Sequence, residues 1–444
     1  MTILVELVLI AVIGALLGCV TGLIPSLHVN TLAVLLLGAA PILALALTAA
    51  GFRSLPTLFQ VSALILAISV AHTFINIVPA TFLGAPDETT ALSVLPGHKM
   101  LLRGSGYHAV QLSAYASQWA VLASVVLVLP LKWTLGEPLR FFDVLQAHLF
   151  WIVLGVAVLL VATEHGPIGP ETWTRGSRAA AAHLAGLALL LTTGVYGLLL
   201  DELPYHSLVP IPPSPLLPAL SGLFGAATVV AALSMPPRLP HQFLEFGQHE
   251  LRPLGAVAAM GAGVVAGATM SVLPGLTNAS ATAIATTLQK GNDEETIISL
   301  SAVNTANVVF NLAVLYLFHR SRSGAVIAME ELWPIRAWHD LVPHDLLRFG
   351  IVLIASGFAS LLLTLLCGRL LVRRIQHVPY RGLLIGVLVY MALVVAVFTG
   401  RAGLLVALTG LALGLVPVRL GLRRTCLTGV LLVPVLVYFA PDFT

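Results

Sequence analysis

Apolar runs of about 20 residues recur from one end of this chain to the other, and they are apolar all round, with no polar stripe. Wound as an α-helix, each run is long enough to cross a hydrocarbon core about 30 Å thick. Charged residues make up 9% of the 444, against roughly a quarter in an ordinary soluble domain. Mean hydropathy is +0.99. A chain of this kind folds as an all-α polytopic protein of the cell membrane, crossing it many times. Apolar length and Pro, Gly and charged punctuation predict helices over 3–22, 31–50, 58–83, 109–131, 146–163, 179–200, 215–234, 254–272, 297–318, 349–372, 382–399, 402–417 and 424–440. Ten to fourteen crossings follow, with 277–288 too short to span and read as half of a broken or re-entrant element.

The connections hold nearly all the charge, and none is long enough for a soluble domain. Arg369, Arg373, Arg374 and Arg381 form one basic cluster; Arg419, Arg423 and Arg424 form another. Two helices separate the clusters, so they share a side, which the Lys/Arg bias makes cytoplasmic. A net charge of +3 scattered over loops gives no support to nucleic-acid binding. The first apolar segment lacks a basic leader and carries Glu6, so it reads as a membrane helix and not a cleaved signal. Cys19, Cys367 and Cys426 lie far apart in sequence and form neither a disulfide framework nor a CxxC site.

The internal repeat is the main organisational feature. "GCVTGLIPSL" (18–27) and "GATMSVLPGL" (267–276) share the pattern G-x3-G-x6-P-[SG]-L once Gly14 and Gly263 are included. Downstream, "AHTFINI" (71–77) sets against "ANVVFNL" (306–312), bringing Asn76 over Asn311 if the first half has a longer hairpin. The chain is therefore read as two related, inverted membrane repeats with extra helices, over 1–215 and 216–444. Glycines one turn apart let a neighbouring backbone approach closely. A proline at the end of such a helix breaks it, and in lipid a break is tolerated where it lines a pocket.

These breaks and the polar residues beside them are the candidate substrate site: Pro25, Ser26, His28 and Asn30 in the first half, and Pro274, Gly275, Thr277 and Asn278 in the second. N–H groups where the helix restarts would favour an anion. His72 and Asn76 join the first set. Asn304 and Asn307, stepping with Asn311 along one helical face, join the second, because amides inside an apolar span point to a polar cavity. Bland accounts compete: Gly and Pro tune membrane-helix packing, and amides glue helices together. Asp87, Glu88 and Lys99, in a Pro- and Gly-rich stretch, are candidates for coupling or gating. His339, Asp340, His344 and Asp345 group like metal ligands but sit in a charged loop without further ligand spacing, so no metal site is assigned. No P-loop, GxSxG, HExxH or GxGxxG occurs.

"GLIPSLHVNTLAVLLLGAAP" (22–41), "FINIVPATFLGAPDETTALSVLPGHKMLLRGSGYHAV" (74–110) and "VLPGLTNASATAIA" (272–285) resemble the large permease subunit of the tripartite tricarboxylate transporters, the TctA family, in its archaeal-type branch. Gly22 to Pro25 match the family's first Gly-Pro element; Asn76, Pro79, Gly84 and Pro86 match its second loosely. Ser26 stands where the family has Gly, and His28 and Asn30 replace small residues. The resemblance implies a carboxylate substrate, a small membrane subunit and an extracytoplasmic binding protein as partners. Together with the residues it gives a secondary transporter of a small organic anion, coupled to Na+ or H+, with no cofactor and no enzymatic role. Two alternatives stand beside it. One is a translocase of a lipid-linked or polyprenyl phosphate. The other is a membrane-embedded enzyme using His28, His72 or the Asp87/Glu88 pair.

Overall fold

The structure is a computed structural model that describes residues 2–24, 29–83, 94–164, 166, 168–170, 172, 174–209, 212–233, 240–244, 252–273, 281, 292–320, 323–375 and 379–441. Among these residues the fold is all helix, with no strand. In chain order the helices are α1 (Ile3–Gly22), α2 (Val29–Gly38), α3 (Ala40–Ala49), α4 (Thr57–Ile75), α5 (Ile77–Leu83), α6 (Val94–Leu102), α7 (Gly106–Leu135), α8 (Phe141–Ala147) and α9 (Leu149–Ala162). There follow α10 (Arg175–Leu198), α11 (Leu216–Leu233, π-helical over Ser221–Ala226), α12 (Pro253–Val272), α13 (Asp293–Phe318) and α14 (Gly324–Leu332). The chain ends with α15 (His344–Ile375), α16 (Tyr380–Leu420) and α17 (Gly429–Tyr438). Nine of these helical stretches are long and apolar enough to cross a membrane, or ten if α8 and α9, bent by 70° at His148, form one span.

Two long helices lie inside the protein and away from lipid. The apolar stretches of α4–α5 and of α13 are 100% and 94% buried, against 28% for α16. Glycine makes this enclosure possible. Gly14 sits on Ala67; a methyl group added at Gly18 would fall 2.5 Å from Ala71 Cβ and 2.6 Å from the Ile68 carbonyl oxygen. In the other half a methyl at Gly263 would fall 2.7 Å from Ala302 Cβ, and at Gly267 2.9 Å from Ala306 Cβ. Backbone therefore packs on backbone along α1–α4 and along α12–α13.

The two packed pairs share one register. The spacing that takes Gly14 and Gly18 to Gly263 and Gly267 also takes Glu6 to Gly255. A second constant spacing takes Gln60, Ala67, Ala71 and Asn76 to Glu295, Ala302, Ala306 and Asn311. Contacts at both ends agree: Gln60 Nε2 donates to Glu6 Oε1 at 2.6 Å, while Glu295 Oε1 lies against Gly255. In each pair the contacts climb together, so the partners run parallel, and the chain between them must return from one end to the other. In the first half α2 and α3 carry that return. The helix predicted over 31–50 is split at Ala39, because Pro41 lacks an N–H and its ring crowds the preceding turn.

The pairs point in opposite directions. Phe59, at the start of α4, stacks on Phe349 at 4.7 Å and meets Trp333 edge-on at 5.4 Å. A few residues on, the Trp338 N–H donates to the Tyr316 carbonyl at 2.9 Å, at the end of α13. The beginning of α4 thus shares a side with the end of α13. The predicted break between 399 and 402 is present: Gly400, φ 67°, interrupts α16, and its neighbour Val397 accepts from the Leu208 N–H at 2.8 Å. The short helices α6 and α14 were not foreseen, and 277–288 lies outside the described residues apart from Ala281.

Two outcomes test this architecture. Gly18→Ala should cost about 1–3 kcal/mol, because the Ile68 carbonyl cannot move aside. Gly386→Ala, with open space around it, should be neutral or stabilise by up to about 1 kcal/mol. Unfolding of both variants in detergent compares them, and equal stability would contradict the packing. A topology reporter after Gly421, beside the basic clusters, should read cytoplasmic, whereas one at Asp201, beside the Gly400 turn, should read outside. The reverse result would invert the orientation.

Candidate functional site

Each long packed pair ends where a proline follows. In the second half Leu273, the cap of α12, turns to extended backbone (φ −94°, ψ 118°), as the residue before Pro274 is expected to do. In the first half α1 ends at Gly22 with Leu23 as its cap, two residues before Pro25. Pro25, Ser26, His28, Pro274, Gly275, Thr277, Asn278, Asp87 and Glu88 lie outside the described residues. Asn30 is in the first turn of α2.

The remaining candidates lie beside those helix ends. His72 is buried on α4, and its Nδ1 stands 3.4 Å from the Thr21 hydroxyl in the last turn of α1. Asn76 is buried at the junction of α4 and α5. Its N–H donates to the His72 carbonyl at 3.1 Å, and its own carbonyl accepts from the Ala80 N–H at 3.2 Å. The internal register places Asn307 where α4 has His72, and Asn311 where it has Asn76. Asn311 Nδ2 donates to the Asn307 carbonyl at 2.8 Å and to Asn307 Oδ1 at 2.9 Å. Asn304 is buried one turn before Asn307. The Asn307 backbone N lies against Gly267, so this polar face adjoins the last turns of α12 before Pro274. Both halves therefore bring buried amides, and in the first half an imidazole, to a helix that stops at a proline.

Lys99 does not join this arrangement. It is exposed on α6, with Nζ 3.6 Å from Asp293 Oδ1, and Arg103 meets the other oxygen at 3.4 Å. Its neighbour His98 is buried, and burial lowers its pKa. His339, Asp340, His344 and Asp345 do not assemble a metal site: Asp345 accepts from Trp333 Nε1 at 2.9 Å and from Arg348 at 3.0 Å, and no metal-holding cluster occurs among the described residues. A crevice of about 290 Å³ between α7, α13 and α15 is lined by Val125, Val309, Leu312, Leu346 and similar side chains and offers nothing to an anion.

Several polar groups escaped the sequence reading. Gln118 on α7 is buried against Gly357 of α15, and neither of its amide atoms has a hydrogen-bond partner among the described residues. Ser356, Ser360 and Thr364 form a buried stripe at every fourth residue of α15, a spacing visible in the sequence. His108 and Glu294 meet between α7 and α13 at 3.1 Å. Predicting α13 from 297 left Glu294 in a loop. The signal that would have found it is the capping box, Asn292 with Glu295 three residues on, which starts the helix at Asp293. Cys19 and Cys367, separated by most of the chain, stand with their sulfurs 3.5 Å apart between α1 and α15.

Fold and site together define a multi-pass helical membrane permease, built round two enclosed helices that carry polar side chains. The chain belongs to the tripartite tricarboxylate transporter TctA family, whose model matches residues 8–429. It is also similar to an uncharacterized protein of Methanocaldococcus jannaschii, MJ1079, at 25% identity over 436 residues, covering 96% of this chain and 98% of that one. The family is one of transporters.

The contact between α1 and α15 has a direct test. Mild oxidation should crosslink Cys19 to Cys367, holding two fragments together on a non-reducing gel after cleavage at a protease site inserted near Asp201. Cys19→Ser should abolish the link. Absence of the link in the wild-type chain would show that the last turns of α1 do not lie on α15.

Proposed function

We propose that this protein is a secondary transporter of a small organic anion, most simply a carboxylate, driven by a Na+ or H+ gradient. The observation that carries this reading is the twofold occurrence of one device. In each half a glycine-faced helix, packed on an enclosed helix, stops at a proline beside buried amides. A polar face inside an apolar bundle is costly, at several kcal/mol for each unsatisfied group, and is most often kept where it serves a ligand path. We take residues 1–215 and 216–444 as the two repeats, each with added helices, and their opposite orientation supports an inverted duplication. Moving one packed pair against the other would open the polar faces to alternate sides.

The substrate contacts in this reading are Pro25, Ser26, His28 and Asn30 from the first break and Pro274, Gly275, Thr277 and Asn278 from the second. His72, Asn76, Asn304 and Asn307 shape the cavity between them. Amide and imidazole N–H groups donate to carboxylate oxygens, and a bundle interior of low polarity strengthens each bond. Asp87, Glu88 and Lys99 remain as gating or coupling candidates. Family membership supports a small membrane subunit and an extracytoplasmic binding protein as partners, which would deliver substrate to the outer mouth.

Uptake of labelled citrate and smaller carboxylates into proteoliposomes tests the assignment. Asn76→Leu and Asn307→Leu should each lower uptake at least tenfold while leaving the detergent-purified protein folded, since tenfold corresponds to about 1.4 kcal/mol, within reach of one lost charge-assisted bond. Undiminished uptake in both variants would remove these residues from the path. Stabilisation of the protein by a polyprenyl phosphate and by no carboxylate would favour the lipid-phosphate translocase instead.

A further inference from the structure

We propose that the His108–Glu294 pair is the proton-binding site of this transporter, a step that rests on the transport reading above. His108 Nε2 lies 3.1 Å from Glu294 Oε1, and both side chains are about nine-tenths or more buried, at 3% and 10% exposure. An ionisable pair enclosed between two membrane-crossing helices is expensive to keep and is most often retained for function. Met100, Leu112, Ile297 and Ile298, a few residues away on α6, α7 and α13, belong to one buried apolar cluster.

Among the described residues Glu6, Glu164 and Glu295 are buried too, and Glu295 accepts from the Asn292 N–H at the start of α13. Glu6 accepts from Gln60 Nε2 at 2.6 Å and from the Ser54 N–H at 2.9 Å. Glu164 accepts from the Arg423 N–H at 2.9 Å and the Cys426 thiol at 3.4 Å. Those groups tie helix ends together. Glu294 faces an imidazole, the side chain that changes charge between pH 5 and 8.

A polar seam leads inward from the pair. α7 and α13 run parallel here, and one to two turns deeper Ser301 Oγ donates to Ser113 Oγ at 2.8 Å. One turn further, Ser117 and Thr305 are fully buried, and their hydroxyls have no partner among the described residues. Thr305 adjoins Asn304, where the amide face begins. A hydroxyl both donates and accepts, so these groups line a polar seam between the pair and the amide face.

The step is a protonation with simple balance. During uptake a proton from the outer side adds to the Glu294 carboxylate, turning it into a neutral acid, and later leaves the same oxygen for the cytoplasm, whose end of α13 Glu294 occupies. Adding it weakens the attraction to His108 and to the N-terminus of α13, which favours negative charge. The α7–α13 contact loosens, and α13 is the helix that carries Asn304, Asn307 and Asn311. Charged and titratable groups near the pair on the described elements are Asp293 and Glu295 on α13, Tyr107 on α7, His98 and Lys99 on α6, Arg103 just after it, and Arg252 ahead of α12. Lys99 and Arg103 are engaged with Asp293.

Two readouts test the site. Infrared titration of the purified protein should show a buried carboxyl gaining a proton as pH falls, and Glu294→Gln should delete that band. His108→Asn should move its midpoint to higher pH by at least one unit, because the imidazole no longer stabilises the carboxylate. In proteoliposomes Glu294→Gln should lose acid-gradient-driven accumulation of citrate at least tenfold, yet keep citrate exchange within twofold. An unchanged carboxyl band in Glu294→Gln, or full gradient-driven accumulation by that variant, would overturn the proposal. The infrared arm needs no substrate. A wild-type protein that shows the band but carries no carboxylate would therefore sink the transport reading while upholding the protonation site.

Discussion

Close approach of glycine-faced helices to α4 and α13 underlies everything else in this structure. With Gly14 and Gly18 against Ala67 and Ala71, and Gly263 and Gly267 against Ala302 and Ala306, no side chain separates the backbones. Lipid tails are as apolar as leucine, so helices in a bilayer gain little from hydrophobic burial against each other and much from tight contact of this kind. The gain here is enclosure. Both central helices are surrounded by protein along almost their whole apolar length. Only helices shielded in that way can carry His72, Asn76, Asn304 and Asn311 without presenting them to hydrocarbon.

Enclosure then sorts the polar groups by what they touch. At the start of α4, Glu6 accepts from Gln60 Nε2 and the Ser54 N–H and pins two helix ends in place. At the start of α13 the same register carries Gly255 and Glu295, and the carboxylate belongs to the buried helix and caps it. The two halves share geometry and differ in chemistry. The amide faces differ in the same sense, with an imidazole at His72 where the other half has Asn307. A binding site formed between the two pairs, as proposed, would be asymmetric.

Much of this was readable in the chain. Glycines spaced by four, followed by a proline, announce a packed helix that stops, and asparagines at Asn304, Asn307 and Asn311 announce a polar face, because helical periodicity is local. The split at Ala39 was concealed by apolar residues on both sides, although Pro41 marked it. The bend at His148 was hidden in the same way. What periodicity could not show was which faces meet. Cys19 and Cys367 carry no sequence signal of their contact, and His108 and Glu294 reveal theirs only once α7 and α13 are laid side by side.

The sequence alone determined the class of the protein, because apolar length against bilayer thickness leaves helices as the way to satisfy backbone polar groups. It also marked some of the places where those helices stop, at Pro41 and before Pro274, since proline acts on its own turn of chain. Tertiary structure decided the direction in which the two packed pairs run and the pairing of α7 with α13. It decided, too, which polar groups are buried together. Those features depend on contacts between residues hundreds of positions apart, and only complementary surfaces brought into register can select them.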